Sequence, residues 1–300
     1  MHVSKAFERY LRHHRAEGSS PKTLEWHTYS LRQFIAYLAA ETHSGEVEDL
    51  CADDLRGFID SLREKGLAQS SVATKVRSVK AWGKWLLAEE FTARDAFARV
   101  KQTRLEDKAK ETLTTDEVQT LLAGCDRKTV TGARDFAIML LLFSTGLRAA
   151  EVVGLHIEDV DTDKELLLVR RGKGGKFRVA PLSPPVEKAV YKYLQHSQRR
   201  GSETNGALFL SDDGTPLSIN GLQQMFKRRG KAVDIQANPH KWRHSAAIQY
   251  LRSGGRVEVL RTMLGHTTLD MTLHYARIAG VDLTTAHETC DPVRSLRVRL

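Results

Sequence analysis

Cysteine is nearly missing from this 300-residue chain: Cys51, Cys125 and Cys290 are widely scattered, and no C-x-x-C pair occurs. So small and odd a set excludes a disulfide framework and a cysteine-based zinc site, and it fits a reducing interior. Long apolar runs are missing too. The longest, Phe136 to Phe143, has 8 residues, against the roughly 20 that a membrane-spanning helix needs. The opening segment MHVSKAFERYLRHHRAEG lacks the apolar stretch of a secretory signal, so export is not expected. The pattern G-x-x-x-x-G-K-S/T occurs nowhere, which argues against a phosphate-cradling P-loop and against nucleotide hydrolysis. Internal repeats and low-complexity tracts are absent as well.

What the chain does contain is ordinary globular material: 41% apolar and 28% charged residues, enough for buried cores and incompatible with disorder as the main state. The charge balance is more pointed. There are 46 Lys and Arg against 37 Asp and Glu, a net of +9. Residues 1–100 hold 15 basic and 14 acidic groups, residues 101–300 hold 31 and 23. The surplus therefore sits in the second part of the chain. It points to a polyanionic partner, most often nucleic acid, with plain solubility as the alternative.

The first hundred residues read as helix. Val3, Phe7, Tyr10 and Leu11 recur at helical spacing over Val3–Glu17. Ser20-Pro21 supplies an N-cap with proline at the first helical position. Leu24, Tyr29, Leu31, Phe34, Ile35 and Leu38 then share a broad face. Leu55, Phe58, Ile59 and Leu62 mark a helix over Ala52–Lys65 that Gly66 ends, and Val72, Val76, Val79, Trp82, Leu86 and Leu87 mark another over Ser71–Glu89. Four or five helices with short connections predict a helical domain over 1–100. Lys101–Glu111 (KQTRLEDKAKE) is charged and reads as a linker, leaving 112–300 as a second domain. Thr114-x-x-Glu117 is a capping-box pattern, and Ala133–Ser144, apolar on nearly all sides, predicts the central helix of that domain. ELLLVR (Glu165–Arg170) and KFRVAPL (Lys176–Leu182) flank Gly-Lys-Gly-Gly and predict a hairpin, with ALFLS (Ala207–Ser211) a weaker strand. Helices resume over Pro185–Arg200, Ile219–Lys231, His240–Arg252, Val257–Leu264 and Leu269–Ile278. The predicted class is mainly α with a small antiparallel β-sheet.

Several residues bear chemistry. In RRGKGGKFR, residues 170–178, five of nine side chains are basic. A glycine-tipped ribbon carrying Lys173 suits a DNA groove, and a solvated turn is the alternative. His240 and His244 stand four apart, as zinc ligands do, but Lys-Trp-Arg between them opposes a cation. His240 and Arg243, three apart on one helix face, suit an anion better, since guanidinium offers a fixed fork of donors to phosphate. Arg148 follows a helix-ending Gly and has Glu151 three residues on, the spacing of an ordinary ion pair. His266 follows another Gly and reads equally as a helix cap. Tyr275 has the spacing of a core residue.

Taken in order, Arg148, Lys173, His240-x-x-Arg243, Leu264-Gly-His266 and Tyr275 resemble the tyrosine recombinase, or phage integrase, family. The flanks agree: TGLRAAE, RGKGGKFRVAPL, PHKWRHS and LGHTTLDMTLHYARI. FERYLRHHRAEGSSPKTLEWHTYSLRQFIAYL is similar to the start of the family's core-site-binding domain, and VDLTTAHETCDP to the tails of Xer-type members. Trp242, where Leu is common, and Ala149-Ala150 are small departures. No arm-site-binding module is expected before residue 3, so a simple recombinase is expected rather than a heterobivalent phage integrase.

The resemblance implies a two-domain, C-shaped DNA clamp: a SAM-like helical core-binding domain, then a catalytic domain. It implies Tyr275 as nucleophile toward a DNA phosphorus, giving a 3′-phosphotyrosyl link. His240 would be the proton acceptor, Arg148 and Arg243 a clamp on the non-bridging oxygens, Lys173 the general acid, and His266 a phosphate contact. Glu151 would orient Arg148 or His240. Arg170, Arg171, Lys176, Arg178, Lys227, Arg228 and Lys241 are candidate DNA contacts. So are Lys75, Arg77 and Lys80 in the first domain, where a solvated helix face is the alternative. No metal and no cofactor is required. The implied partner is double-stranded DNA with an inverted-repeat site, bound by a homotetramer, with a second recombinase or accessory protein left open. Residues 281–300 would dock onto a neighbouring protomer through Val281, Leu283, Val293 and Leu296, a frayed terminus being the alternative. The expected setting is cytoplasmic and nucleoid-associated, away from membranes. A monomeric type IB topoisomerase and a non-catalytic DNA-binding regulator are the rival readings.

Overall fold

The computed structural model describes residues 1–41, 43–101, 111–170, 177–198, 206–266 and 268–279. The linker residues 102–110, the hairpin-tip residues Arg171, Lys173 and Lys176, and the tail 281–300 lie outside this set. The chain divides into two compact units, Met1–Lys108 and Ala109–Leu300. No helix among the described residues is long and apolar enough to cross a membrane.

Among its described residues the first unit holds four α-helices, α1 (Val3–Ala16), α2 (Pro21–Ala40), α3 (Ala52–Glu64) and α4 (Gln69–Ala88), with a short 3-10 helix at Val47–Asp49. Their starts follow from local chemistry. Ser20 Oγ accepts from the Thr23 N–H at 3.2 Å, and Pro21 at the first position has no N–H to leave orphaned. Asp54 reaches back to the Cys51 N–H at 2.8 Å and starts α3. The apolar faces meet around Phe34, whose ring lies edge-on to Phe58 at 5.2 Å and to Phe97 at 5.6 Å, the arrangement that aromatic quadrupoles favour. His27 is buried in the same unit, with Nδ1 2.9 Å from Ser78 Oγ. Burial, helped by nearby His14, holds its pKa down at about 4.

The second unit starts with α5 (Thr115–Ala123). Its capping box is formed as expected: the Glu117 N–H donates to Thr114 Oγ1 and the Thr114 N–H to Glu117 Oε2. Next comes α6 (Val130–Thr145), apolar on most sides and central, then the short α7 (Ala149–Val153). A sheet of order β1-β2-β3 follows: β1 (Val160–Asp161), β2 (Leu166–Val169) and β3 (Arg178–Pro181), all antiparallel. Leu167 faces Ala180 and Val169 faces Arg178 in register, so the hairpin expected from the sequence is present. Then come α8 (Pro184–Gln198), α9 (Ile219–Ala232), α10 (Pro239–Arg252), α11 (Val257–Leu264) and α12 (Asp270–Ala279). The class is mainly α with one small antiparallel sheet.

The expected strand over 207–211 is not formed. Ala207 and Leu210 make isolated bridges to His156 and Pro216. Leu208, Phe209 and Leu210 are buried, so the apolar run fills core while single loop contacts satisfy its backbone.

Two apolar clusters organise the second unit. The main core surrounds α6 and includes Trp242 of α10, fully buried, with Nε1 donating to the Met139 carbonyl at 2.8 Å. A separate small core gathers Ile248, Leu251, Leu260, Leu264 and Tyr275 from α10, α11 and α12. Asp135, fully buried, accepts from Arg134, Arg228 and Arg229, which fastens α9 to α6.

Candidate functional site

The site is assembled where two helices end. α6 stops at Gly146 (φ +60°) and α11 at Gly265 (φ +62°), left-handed conformations that glycine adopts at little cost. Space is tight at both positions as well. A Cβ on Gly146 would lie 2.6 Å from Leu264 Cδ2, and one on Gly265 would lie 3.2 Å from Arg178 Cδ and Nε. The two helix C-termini are thereby brought together, with their carbonyl ends converging.

Arg243 fills the space between those ends. It is 5% exposed. Nη1 donates to the Gly146 carbonyl, Nη2 to the Leu264 carbonyl at 2.8 Å, and Nη2 also reaches His266 Nε2 at 3.3 Å. Burial is the main reason its pKa falls to about 10, and the Arg148 charge lowers it further. At neutral pH it remains fully cationic.

Arg148 caps α7 immediately after the Gly146 turn. Its backbone N–H donates to Glu151 Oε2 at 2.7 Å, its Nη1 to Oε1 at 3.1 Å, and its Nη2 to the Gly265 carbonyl at 3.3 Å. Glu151, 3% exposed, also accepts from Arg178 Nη2 at 2.8 Å. Burial pushes the Glu151 carboxyl upward, but the hydrogen bonds from Arg178 and from the Arg148 backbone, with both guanidinium charges, outweigh it, and the pKa falls. Two guanidinium groups thus share one carboxylate, and a third, that of Arg243, feels its charge from nearby. Such a surplus is tolerated best when an anion completes it.

His266 turns its Nε2 to Arg243 and its Nδ1 to Thr272 Oγ1 at 2.9 Å. Guanidinium only donates, so Nε2 accepts and Nδ1 carries the proton. Burial, then the charges of Arg243, Arg148 and Arg178, hold His266 at about 4, so it is neutral near pH 7. Tyr275, 5% exposed on α12, stacks on the His266 ring at 6.0 Å and 13°, and lies 5.2 Å from the His244 ring. Burial raises its phenol pKa, while the Arg243 and Arg148 charges pull it down. His240, exposed near the start of α10, has its Nε2 2.7 Å from Nε2 of His244. The imidazoles at zinc-ligand spacing therefore bond each other, and among the described residues no group of three or more His, Cys, Asp or Glu is placed to hold a metal.

Arg148, Arg243, His266, Tyr275 and Glu151 are thus brought together, with His240 linked to Tyr275's surroundings through His244. Glu151 is engaged with Arg148 and Arg178. Of the candidate DNA contacts, Lys227 is exposed on α9, while others are engaged within the chain. Arg170 pairs with Glu158 and Asp159, Arg228 with Asp135, and Lys241 with Glu111. Arg178 points inward. In the first unit Lys75 is buried with Nζ 4.1 Å from the Tyr29 ring centroid, Lys80 donates to the Val100 carbonyl, and Arg77 is exposed. Sequence reasoning missed Thr272 and the contact of His244 with Tyr275. Thr272 lies three residues before Tyr275, a spacing that places both on one side of a helix.

Residues 111–280 match the phage integrase family and residues 5–90 match its N-terminal SAM-like domain. The chain belongs to the phage integrase family, the tyrosine recombinases, and is a DNA strand-transferring enzyme whose class of activity is site-specific recombination. It is similar to tyrosine recombinase XerA of Pyrococcus furiosus, 29% identical over 98% of this chain and 96% of that one. It is also similar to tyrosine recombinase XerD of Halalkalibacterium halodurans, 27% identical over 92% and 94%. In fold it resembles a Tn1549 transposon integrase solved with a circular intermediate DNA, with a TM-score of 0.77, 19% identity, and coverage of 98% of this chain and 99% of that one.

Proposed function

We propose that this enzyme cuts and rejoins DNA through Tyr275. The phenolic oxygen attacks the scissile phosphorus, the bond to the 5′-oxygen breaks, and the 3′-phosphate remains on the tyrosine. The observation that carries this reading is the packing of Tyr275 against His266, which Arg243 bonds directly, beside a carboxylate that Arg148 and Arg178 share.

Each neighbour has a chemical task. Arg148 and Arg243 bind the two non-bridging oxygens and stabilise the charge of the pentavalent state; a pre-organised donor of this kind contributes about 3–4 kcal/mol. The buried phenol, whose pKa is raised, needs a base. His240 takes its proton, imidazole being suited to the task at neutral pH. Lys173 delivers a proton to the departing 5′-oxygen. His266 donates Nε2–H to a phosphate oxygen. Thr272 makes that feasible, because its hydroxyl can turn from acceptor to donor toward Nδ1 and so let the ring change tautomer. The phosphotyrosyl bond keeps the energy of the broken ester, so a 5′-hydroxyl of another strand reverses the step without added energy.

The duplex is held by exposed cations such as Lys227 and Arg77, which contact backbone phosphates and set position rather than sequence. Four protomers on two inverted-repeat sites exchange the strands, as the pairwise cutting of two duplexes requires. The DNA complexes among structurally similar integrases support the choice of partner.

The test uses suicide duplexes, nicked so that the cut 5′ fragment diffuses away, recovered from a random-sequence library by covalent capture. Wild-type protein is expected to accumulate an adduct and Tyr275→Phe none. An adduct that persists in Tyr275→Phe rejects the assigned nucleophile. Relaxation of supercoiled plasmid lacking captured sites, at one protein per DNA, would favour a monomeric topoisomerase instead.

A further inference from the structure

The strand β3 is patterned inside out. Phe177 just before it and Val179 within it are 71% and 53% exposed, whereas Arg178 faces inward with its side chain only 13% exposed. A large cation on the inner face of a strand, with apolar neighbours left outside, opposes the usual alternation and calls for a specific return.

The contacts supply it. Arg178 Nη2 donates to Glu151 Oε2 at 2.8 Å, its Nε lies 3.5 Å from Oε1, and its Nη1 donates to the Met263 carbonyl in the last turn of α11. One fork therefore joins three elements: the stem of the hairpin, where Arg178 pairs with Val169, the start of α7, and the end of α11. Glu151 in turn holds Arg148 by backbone and side chain. The α11 terminus leads through Gly265, packed against the Arg178 stem, into His266.

We infer that Arg178 is a positioning residue: through Glu151 it fixes Arg148, and through the end of α11 it fixes His266, so that both meet the same phosphate. It is not itself a DNA contact, since each of its three nitrogens has a partner inside the protein. The inference rests on the strand-transfer reading above. Lysine at this position would keep the charge but lose the fork that spans carboxylate and carbonyl together.

The experiment measures single-turnover cleavage of captured suicide duplexes, with rate at saturation and half-saturating concentration read separately. Arg178→Ala is expected to cleave about 100-fold more slowly, as misplacement of reacting groups does, at unchanged half-saturation and unchanged salt dependence. Arg178→Lys, which retains the buried charge, is expected to fall between it and wild type, and carries the test if Arg178→Ala does not fold. In a Glu151→Gln background, Arg178→Ala is expected to add little. A 5′-bridging sulfur leaving group is expected to rescue Lys173→Ala and not Arg178→Ala, because Arg178 acts on the phosphate clamp rather than on the general acid.

Weaker binding with a salt slope reduced by about 1 and a normal saturated rate would make Arg178 a phosphate contact and overturn the inference. So would full additivity with Glu151→Gln, or a wild-type rate in Arg178→Lys. If the wild-type protein itself captures no duplex, the strand-transfer reading falls and takes this inference with it.

Discussion

Arg243 has its guanidinium enclosed by the carbonyl ends of two helices and only 5% exposed. So buried a cation is held by hydrogen bonds, and its function is readable only by removing it. Arg148→Ala and Arg243→Ala are each expected to slow adduct formation by about 100- to 1,000-fold while captured duplexes still bind, measured by gel shift beside covalent capture. Gly265 makes a different prediction. Alanine there meets the left-handed penalty of about 1–2 kcal/mol and crowds Arg178 at 3.2 Å, so Gly265→Ala is expected to lower stability in urea and slow cleavage together. The histidines set a pH dependence. His27 and His266 both sit at about 4, below the ordinary 6.5. Between those values the unfolded chain takes up protons that the folded chain refuses. Stability from burying neutral imidazole is therefore full above pH 6.5 and is lost as pH falls toward 4. Denaturant midpoints across that range are expected to decline, and to decline less in His27→Gln for the first unit and in His266→Gln for the second.

The helices carrying these groups are legible in the sequence where periodicity or apolarity runs long. The spacing gives Val257–Leu264 to the residue, and α6 announces itself by being apolar nearly all round. Shorter elements do not show themselves. Five-residue α7 is too brief to show a period, and it exists because Arg148 and Glu151 close its first turn. The apolar run at 207–211 reads as a strand because burial and strand propensity use the same residues, yet its pairings are isolated bridges to two different segments and form no continuous ladder. Inverted β3 hides Arg178, since alternation gives two faces without saying which is inner. Register, by contrast, is set by the hairpin signal itself. At this scale the keystone is the packing of α10 on α6. Trp242→Ala is expected to cost about 3–5 kcal/mol, seen as a lower denaturation midpoint of the second unit, because it opens a cavity among Phe143 and Phe226 and strands the Met139 contact.

Across the whole chain, each of the two units has its own hydrophobic core. Fragments 1–101 and 111–300 are therefore expected to fold separately, each with its own cooperative melt by circular dichroism; loss of either melt would tie the cores together. The charge surplus lies in the second unit's sequence, which is also where the cationic cluster gathers. Arg148, Arg243, His266 and Tyr275 are spread over more than a hundred residues, and no local pattern can join them. Their order and flanks do so through family resemblance, whereas the parts that hold them (Thr272, the helix-end carbonyls and the inward Arg178) emerge only from the fold. The most direct test of the account is to digest the captured covalent complex and sequence the DNA-bearing peptide by mass spectrometry. The nucleotide is expected on the phenolic oxygen of Tyr275 through a 3′-phosphate; its attachment to any other side chain, or through a 5′-phosphate, would contradict the account.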